Sequence, residues 1–491
     1  MAFYSLAFFG FVLICIIIHD IVGKKYPDFQ WVVRLFASIG FFIYISGFRI
    51  VFLLLSAITI WIASRSNPQS NKKIMYSTVG INLGLLIAAK YLFPIAGHPI
   101  ILPLGISFYT LMAISYLVDI YGGKHEPQKC LGKLILYLCW FPQLVQGPIS
   151  RYENSSKTLY SPYSLTAPQF RYAVYLFLFG AVKKYAIGDL LAPMVSASLD
   201  ANKVADTPGS FLLFGAFLFA IEQYANFSGG IEMAMGASLL FGVNLDKNFN
   251  QPYFATSLAD FWRRWHMTLG SFMRDYVFYP YALLAPVRKF TKKNSKKLGK
   301  HMGRAITGGI GNIIVFALVG LWHGPQLHYL AWGLYNGIII ALGDLLVPVF
   351  EKMKKALHIR QDSRVYYVFC ILRTFTIIVF AGYFDVIDSV KSGFACFKQT
   401  FLHFAPKQGA IKVLELFSED VTSLRALVLI LVAVILLLVI SIRRECGHSP
   451  IKTLSNGPFG LRWLFFFAFG FVLLYSFTVS SGIGGFMYAA F

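Results

Sequence analysis

Runs of apolar residues about as long as a membrane-spanning helix recur along almost the whole chain. They lie near 3–22, 31–63, 75–96, 99–121, 131–149, 168–196, 208–243, 305–324, 326–350, 365–387, 424–442 and 461–480. A helix needs about 20 apolar residues to cross a bilayer. Because 57% of the residues are hydrophobic and only 13% are charged, the chain lacks the polar side chains that a soluble domain of this size needs. The sequence therefore predicts an all-α integral membrane protein with about 11 to 13 transmembrane or re-entrant helices.

The distribution of polar residues predicts one polytopic membrane domain over 1–491. The longest polar intervals, at 150–167, 288–304 and 398–423, are only as long as loops. The first apolar run has no basic region before it and no small-residue cleavage site, so we expect a retained transmembrane helix and not a cleaved signal peptide. The chain shows no internal repeat, which counts against a transporter built from two related halves.

The formal net charge of +22 is explained by the excess of Lys and Arg in cytoplasmic loops of membrane proteins. Basic pairs such as Lys183 with Lys184 are expected between spans. The segment 288–304 holds eight Lys or Arg residues and no acidic residue, and it predicts a cytoplasmic loop. Such a loop can also attract anionic lipid or a phosphorylated donor such as coenzyme A. We do not expect nucleic-acid binding.

The segment 258–278 departs from this apolar pattern because it carries three arginines, a histidine and two aspartates. Its aromatic and aliphatic residues recur every three or four positions, which predicts one amphipathic helix capped by Thr256 or Ser257. The predicted apolar face contains Phe261, Trp265, Leu269 and Phe272. We expect this helix to lie at the membrane interface or to line a cavity.

Two histidines are candidates for proton transfer because titratable groups at membrane depth usually serve a polar cavity. His323 lies at the predicted end of a helix, just before Gly324. Its neutral imidazole can take a proton from a hydroxyl, or it can simply bond to a backbone carbonyl at the helix end. His266, beside Arg264, either works with His323 or anchors an interfacial helix. His328 is the nearest competitor of His323.

Other polar and aromatic residues lie where they can line a path for a substrate. They are Asn226, Ser228, Arg263, Arg264, Trp265, Arg274, Asp275, Trp322 and Asn336. Asn226 and Ser228 can instead satisfy neighbouring groups across helices, and Arg274 can form an ion pair with Asp275. The sequence contains no GxSxG, Walker A, GxGxxG or HExxH motif, so it does not predict a serine nucleophile, ATP hydrolysis, a nicotinamide cofactor or a metal site. The remaining mechanism is direct attack by an acceptor, assisted by histidine.

Five sequence blocks occur in an order that resembles the membrane-bound O-acyltransferase (MBOAT) family. They are LPLGISFYTLMAISYLVDIYGGK (102–124), FPQLVQGPISRY (141–152), the long block at 224–280, GLWHGPQLHYLAWGLYNG (320–337) and the ending FMYAAF. The chain is most similar to the bacterial alginate O-acetyltransferase-like branch, which is related to the D-alanine transfer proteins of teichoic acid. The signature core covers about 100–350, and further helices fill about 365–491.

This resemblance implies a helix bundle around a central tunnel in the bacterial cell membrane. It implies transfer of an acyl group, foremost acetyl, from a cytoplasmic thioester to hydroxyls of an exported or cell-surface polysaccharide. The donor would be acetyl-coenzyme A or a carrier-protein thioester, without a bound cofactor, and a separate extracytoplasmic transferase can complete the reaction. His323 would be the catalytic histidine and His266 its partner.

The chain departs from this branch at several positions. Asn226 and Glu232 replace the usual aspartates, Asn336 replaces a frequent histidine, and Gln326 with Leu327 replaces Asn–Trp. These differences leave the acceptor open. The alternatives are transfer of D-alanine or another acyl group from a carrier to a wall polymer and, in another class, a secondary transporter.

Overall fold

The computed structural model describes residues 6–66, 71–92, 102–418 and 421–479. The chain divides into two compact units. The first contains Met1–Asp189, Tyr224–Asn248 and Ala433–Phe491, and the second contains Leu190–Gln223 and Phe249–Val432. The predicted signature core contributes to both units. The terminal FMYAAF block lies outside the described residues.

The first unit is built from helices of the N-terminal third and from the C-terminal helices. They are Leu6–Lys25, Gln30–Ser46, Ile50–Arg65, Lys72–Ile87, Ile106–Tyr121, Leu131–Cys139, Phe141–Leu144, Tyr152–Leu159, Ala167–Ala181, Pro450–Ser455 and Phe459–Val479. The helix Gly209–Leu239 has its C-terminal part in this unit, and so does Val421–Glu445.

The second unit holds the candidate histidines. Its helices are Asp189–Ser198 from Leu190 onward, Leu258–Arg264, Met267–Met273, Tyr279–Leu283, Ala285–Leu298, Lys300–His323, Leu327–Leu345, Val347–Ala356, Arg364–Val386, Val390–Leu402 and Pro406–Ser418. The N-terminal parts of Gly209–Leu239 and Val421–Glu445 belong to it as well.

The helix lengths confirm the prediction of an all-α membrane protein. Within the described ranges, eight helices are long and apolar enough to cross a membrane. The number rises to nine if the bent pair Leu327–Leu345 and Val347–Ala356 forms one span.

The remaining predicted runs form shorter or interrupted helices, and burial explains why. The run at 99–121 gives the 16-residue helix Ile106–Tyr121, in which nearly every side chain is buried. Because protein and not lipid surrounds such a helix, its length does not have to match the bilayer. The run at 131–149 breaks after Cys139 into two short helices.

Two predictions about basic segments are wrong. The segment 288–304 is not a loop, because most of it belongs to Ala285–Leu298 and to the first turns of Lys300–His323. Lys183 and Lys184 do not lie between spans. They are buried in a π-helical turn, Val182–Gly188, that continues Ala167–Ala181. Buried lysines are tolerated where carboxylates pair with them, and both have such a partner.

Candidate functional site

His323 is the last residue of Lys300–His323, as the sequence predicted. The next residue, Gly324, is extended, and a Cβ there would lie 2.7 Å from a ring carbon of Tyr329. The tight approach therefore needs glycine. After Gly324 the chain turns directly into Leu327–Leu345. The His323 side chain is buried at the end of its helix.

Glycines allow the two helices of this hairpin to pack backbone against backbone. A Cβ on Gly320 would lie 2.4 Å from the carbonyl oxygen of Tyr329, and one on Gly333 would lie 2.2 Å from that of Phe316. Small residues are the usual means of close helix packing in membranes. This packing places the indole of Trp332 against the imidazole of His323, with their ring centroids 5.1 Å apart.

His266 lies between two short helices, Leu258–Arg264 and Met267–Met273. The predicted single helix over 258–278 is therefore wrong, although Ser257 caps its start as predicted by accepting a hydrogen bond from the Asp260 N–H at 3.1 Å. His266 has a φ of +44°, in the left-handed region. A non-glycine residue pays about 1–2 kcal/mol for this conformation. Such strain persists where packing enforces it, and it clusters at functional sites.

The structure brings both histidines onto one aromatic group, which we call the histidine cluster: His266, Trp322, His323 and Trp332. The Trp322 ring centroid lies 6.1 Å from that of His266 and 5.3 Å from that of His323. All four side chains are buried. Two imidazoles distant in sequence thus share one largely apolar environment.

A hydrogen-bonded indole supports the histidine cluster from one side. The Trp262 Nε1–H donates to Asn336 Oδ1 at 3.2 Å, and the Asn336 amide donates to the Trp332 carbonyl oxygen at 2.9 Å. The Trp262 ring also packs edge-on against Trp332, at 5.4 Å. Asn336, which is fully buried, therefore orients the two indoles and does not itself contact the imidazoles through these bonds.

The environment of His266 keeps its imidazole neutral. Burial disfavours the charged form and lowers the pKa of His266 from the ordinary 6.5 to about 3. At neutral pH this side chain can therefore donate or accept a hydrogen bond, but it does not supply a positive charge.

The predicted arginines of the 258–278 segment form ion pairs with aspartates of the same segment. Arg264 Nε is 3.1 Å from Asp260 Oδ2, and the exposed Arg263 lies 3.6 Å from the other oxygen. Arg274 pairs with Asp275 at 2.9 Å, as the sequence suggested.

Trp265, the residue before His266, packs among aromatic residues next to the break between the two short helices. Its ring stacks on Phe261 with centroids 5.5 Å apart, and Phe249 meets it edge-on at 5.0 Å. The predicted apolar face of this segment is indeed buried. This packing fixes the chain on one side of the strained histidine.

Asn226 and Ser228 belong to the first unit, and the histidine cluster belongs to the second. Ser228 Oγ accepts a hydrogen bond from Lys183 Nζ at 2.9 Å. Lys183 also lies 2.8 Å from Glu232, whose second oxygen is 2.6 Å from Arg444. We call Lys183, Glu232 and Arg444 the ion triad. Ser228 thus accepts a hydrogen bond from a buried cation on another helix, which is the structural role that the sequence allowed for it.

Two features of the site were not predicted from the sequence. Trp332 contacts His323 directly, and its only sequence signal is its position one turn before Asn336. His328, the predicted competitor of His323, lies with its Nδ1 2.9 Å from the Phe384 carbonyl oxygen. That contact anchors His328 to the backbone.

The fold and the site together define a polytopic helical membrane protein with two buried histidines in one aromatic cluster. Residues 131–385 match the family model described as MBOAT, membrane-bound O-acyltransferase family. The match covers more than half of the chain, and the protein belongs to this family.

Several relatives carry names of envelope-polymer acyltransferases. The chain is 29% identical to the "Probable alginate O-acetylase AlgI" of Pseudomonas fluorescens over 70% of its own length and 66% of the relative's. It is 27% identical to the "Teichoic acid D-alanyltransferase" of Bacillus subtilis, over 58% and 69% of the two chains. It is 29% identical to the "Peptidoglycan O-acetyltransferase" of Helicobacter pylori, over 50% and 47%. The matches span 48% to 66% of the length of three alginate O-acetylases.

Proposed function

We propose that this protein is a membrane O-acyltransferase that moves an acyl group, foremost acetyl, from a cytoplasmic thioester to a hydroxyl of an exported or cell-surface polysaccharide. The observation that carries the proposal is the histidine cluster, in which one indole contacts both buried imidazoles. Family membership and the names of the relatives support the reaction class and a polymer acceptor.

The chemistry needs one base and one hydrogen-bond donor. His323 takes the proton of the acceptor hydroxyl while the hydroxyl oxygen attacks the thioester carbonyl carbon. The tetrahedral intermediate then collapses, the carbon–sulfur bond breaks, and the thiolate recovers the proton from His323. The products are an ester and a free thiol. No ATP is consumed because the thioester is already activated.

His266 fits the role of a neutral partner in this reaction. Because burial lowers its pKa to about 3, it remains uncharged at neutral pH. An N–H of a neutral imidazole can donate to the oxyanion of the intermediate, and donors held in a dry site are effective because they need no reorganisation. The strained backbone at His266 would then serve to aim its ring.

The donor is proposed to be acetyl-coenzyme A or a carrier-protein thioester, and a separate extracytoplasmic transferase can pass the group to the final polymer. An aminoacyl thioester is the second candidate for the donor, because one relative is named as a teichoic acid D-alanyltransferase. Purified protein supplied with labelled acetyl-coenzyme A or with a D-alanyl carrier thioester distinguishes the two by which label is released or transferred.

The test of the function is the ester-linked acetate of surface glycans in cells carrying wild type or His323→Ala at equal membrane abundance. Loss of a general base lowers the rate by about 10²- to 10⁴-fold, so the ester should fall to background. His448→Ala, which changes an exposed histidine, is the matched control and should leave the ester unchanged.

Unchanged acetate and unchanged D-alanine ester in a stable His323→Ala protein would refute the proposal. Substrate flux in proteoliposomes without any acyl donor would instead support the transporter.

A further inference from the structure

A strongly basic amphipathic helix, Ala285–Leu298, lies in the second unit directly before Lys300–His323. Its six cations are all exposed, and it contains no acidic residue: Arg288, Lys289, Lys292, Lys293, Lys296 and Lys297. Six like charges on one short helix repel each other, and a surface or ligand of opposite charge relieves this repulsion.

Small and hydroxylated residues fix this helix against Lys300–His323. Thr291 Oγ1 lies 2.9 Å from Thr307 Oγ1. A Cβ on Gly303 would lie only 2.4 Å from the backbone nitrogen of Ser295. Further along, a Cβ on Gly311 would lie 2.8 Å from the Phe278 ring. The basic helix is therefore held at a defined distance and orientation.

Between these close contacts the structure leaves a pocket of about 420 Å³, which we call the basic pocket. Its lining residues are Phe278, Tyr281, Ala282, Arg288, Thr291, Lys292, Arg304, Thr307 and Gly308. Three of them are cations, three carry hydroxyls, and none of these nine is a carboxylate. The Thr291 and Thr307 hydroxyls donate to the carbonyl oxygens of Val287 and Gly303, so the cations supply the free donors. Three cations in a pocket whose lining has no carboxylate form a site for a multivalent oxyanion, and arginine in particular matches phosphate.

The surface around the basic pocket is apolar as well as basic. Large hydrophobic side chains are exposed in the segment 279–298, which supplies much of the lining of the pocket: Tyr279, Leu283, Leu284, Phe290 and Leu298. Exposed apolar residues next to a row of lysines are typical of a helix that lies in the membrane interface. A phosphate on a molecule with hydrocarbon chains would satisfy both parts of this surface, whereas a free phosphate would leave the apolar part in water.

We propose that the basic pocket binds a phosphate group through Arg288, Lys292 and Arg304, and that this phosphate is the headgroup of an anionic membrane lipid. The guanidinium and ammonium groups neutralise the phosphate, and the hydroxyls of Thr291 and Thr307 lie beside them in the pocket. The acyl chains lie along the exposed apolar side chains. This inference does not depend on the acyl-transfer reaction.

The positive-inside rule puts the basic helix at the cytoplasmic face, where anionic lipids provide a negative surface. Bound lipid would hold this helix, and with it the start of Lys300–His323, at a fixed depth. Lys300–His323 ends at His323, so the depth of its start in the bilayer sets the depth of the histidine cluster.

The experiment measures lipids retained by purified protein, by native mass spectrometry after exchange into mixed phosphatidylglycerol and phosphatidylcholine nanodiscs. The pocket variant is R288Q/K292Q/R304Q. The control variant K289Q/K293Q/K297Q removes the same charge from cations of the helix that do not line the pocket. The pocket variant loses the charge-assisted hydrogen bonds from three cations to the phosphate, so its affinity for phosphatidylglycerol should fall by roughly 100-fold or more.

A second variant tests the pocket without changing charge. Gly308 lines the pocket, and a Cβ there meets no atom within 4 Å, so Gly308→Leu should fill the pocket while the protein stays folded. We expect phosphatidylglycerol retention to fall in the pocket variant and in Gly308→Leu, and to fall roughly 10-fold less in the control than in the pocket variant, because the control loses only unspecific surface attraction.

Equal loss in the pocket and control variants would overturn the site, because it would mean unspecific attraction by net charge. Unchanged retention in Gly308→Leu would overturn it as well. Separate titrations with inorganic phosphate and with coenzyme A distinguish the source of the phosphate. Binding of either soluble ligand, lost in the pocket variant, without preference for phosphatidylglycerol would refute the lipid assignment.

Discussion

Replacing Glu232 by glutamine should destabilise the protein strongly, because Glu232 is the single carboxylate of the ion triad. Its two oxygens lie 2.8 Å from Lys183 Nζ and 2.6 Å from Arg444 Nη1. The Lys183 side chain is only 2% exposed, whereas Arg444 is 22% exposed. Without the carboxylate, the ion triad would hold no charge opposite to that of the buried Lys183, which lies beside Ser228 and two aromatic rings.

The expected magnitude follows from this burial. Removing one partner of a buried ion pair costs about 3–5 kcal/mol, because the other charge stays desolvated. An exposed pair contributes only about 0–1 kcal/mol. Lys203 and Asp200 form such a pair at 3.2 Å, with a 77% exposed lysine, so Asp200→Asn is the matched control.

A double variant separates charge burial from a general loss of packing. Adding Lys183→Met to Glu232→Gln removes the most deeply buried charge of the ion triad and leaves Arg444, which reaches water. The double variant should therefore be more stable than Glu232→Gln alone. Simple loss of contacts would make the double variant less stable.

The assay is denaturant unfolding of the purified protein in one detergent, compared as free energies of unfolding. The reasoning is refuted if Glu232→Gln lies within about 1 kcal/mol of wild type or is no more destabilised than Asp200→Asn. A double variant that is weaker than Glu232→Gln would refute the assignment of the cost to Lys183.

Two further predictions concern the second unit. The lowered pKa of His266 means that below pH 6.5 the unfolded chain binds a proton that the folded chain does not, so stability should fall as the pH drops from 6.5 towards 3. His266→Gln should reduce this acid sensitivity, measured as the unfolding midpoint at pH 7 and pH 5, and an equal shift in both proteins would contradict the burial of a neutral imidazole. Gly333→Ala should abolish recovery of folded protein, because its Cβ would lie 2.2 Å from the Phe316 carbonyl oxygen, whereas Gly343→Ala has no atom within 4 Å and should be recovered like wild type in size-exclusion chromatography. Equal recovery of the two variants would show that the helices of the hairpin are not held so closely.

The membrane character of the chain, its helical class and its family could be predicted from the sequence. Each depends on local patterns: the apolar runs, the capping Ser257 before Asp260, and the ordered blocks around His266 and His323. The end of a helix at His323 could also be predicted, because the Gly–Pro pair that follows cannot continue it. These features are read from neighbouring residues, so no distant contact is needed.

The tertiary structure alone decided which of these residues meet. The left-handed turn at His266 opposes local preference and exists because packing on both sides enforces it, so the helical period of the segment predicted one unbroken helix instead. Lys183 was predicted between spans, because Glu232, the carboxylate that stabilises its buried charge, is distant in sequence. The contact of Trp322 with both imidazoles likewise joins separate segments. The sequence by itself determined that this chain enters a membrane and carries two candidate histidines, and three-dimensional packing brought those histidines together, because burial and close approach depend on residues that are neighbours only in space.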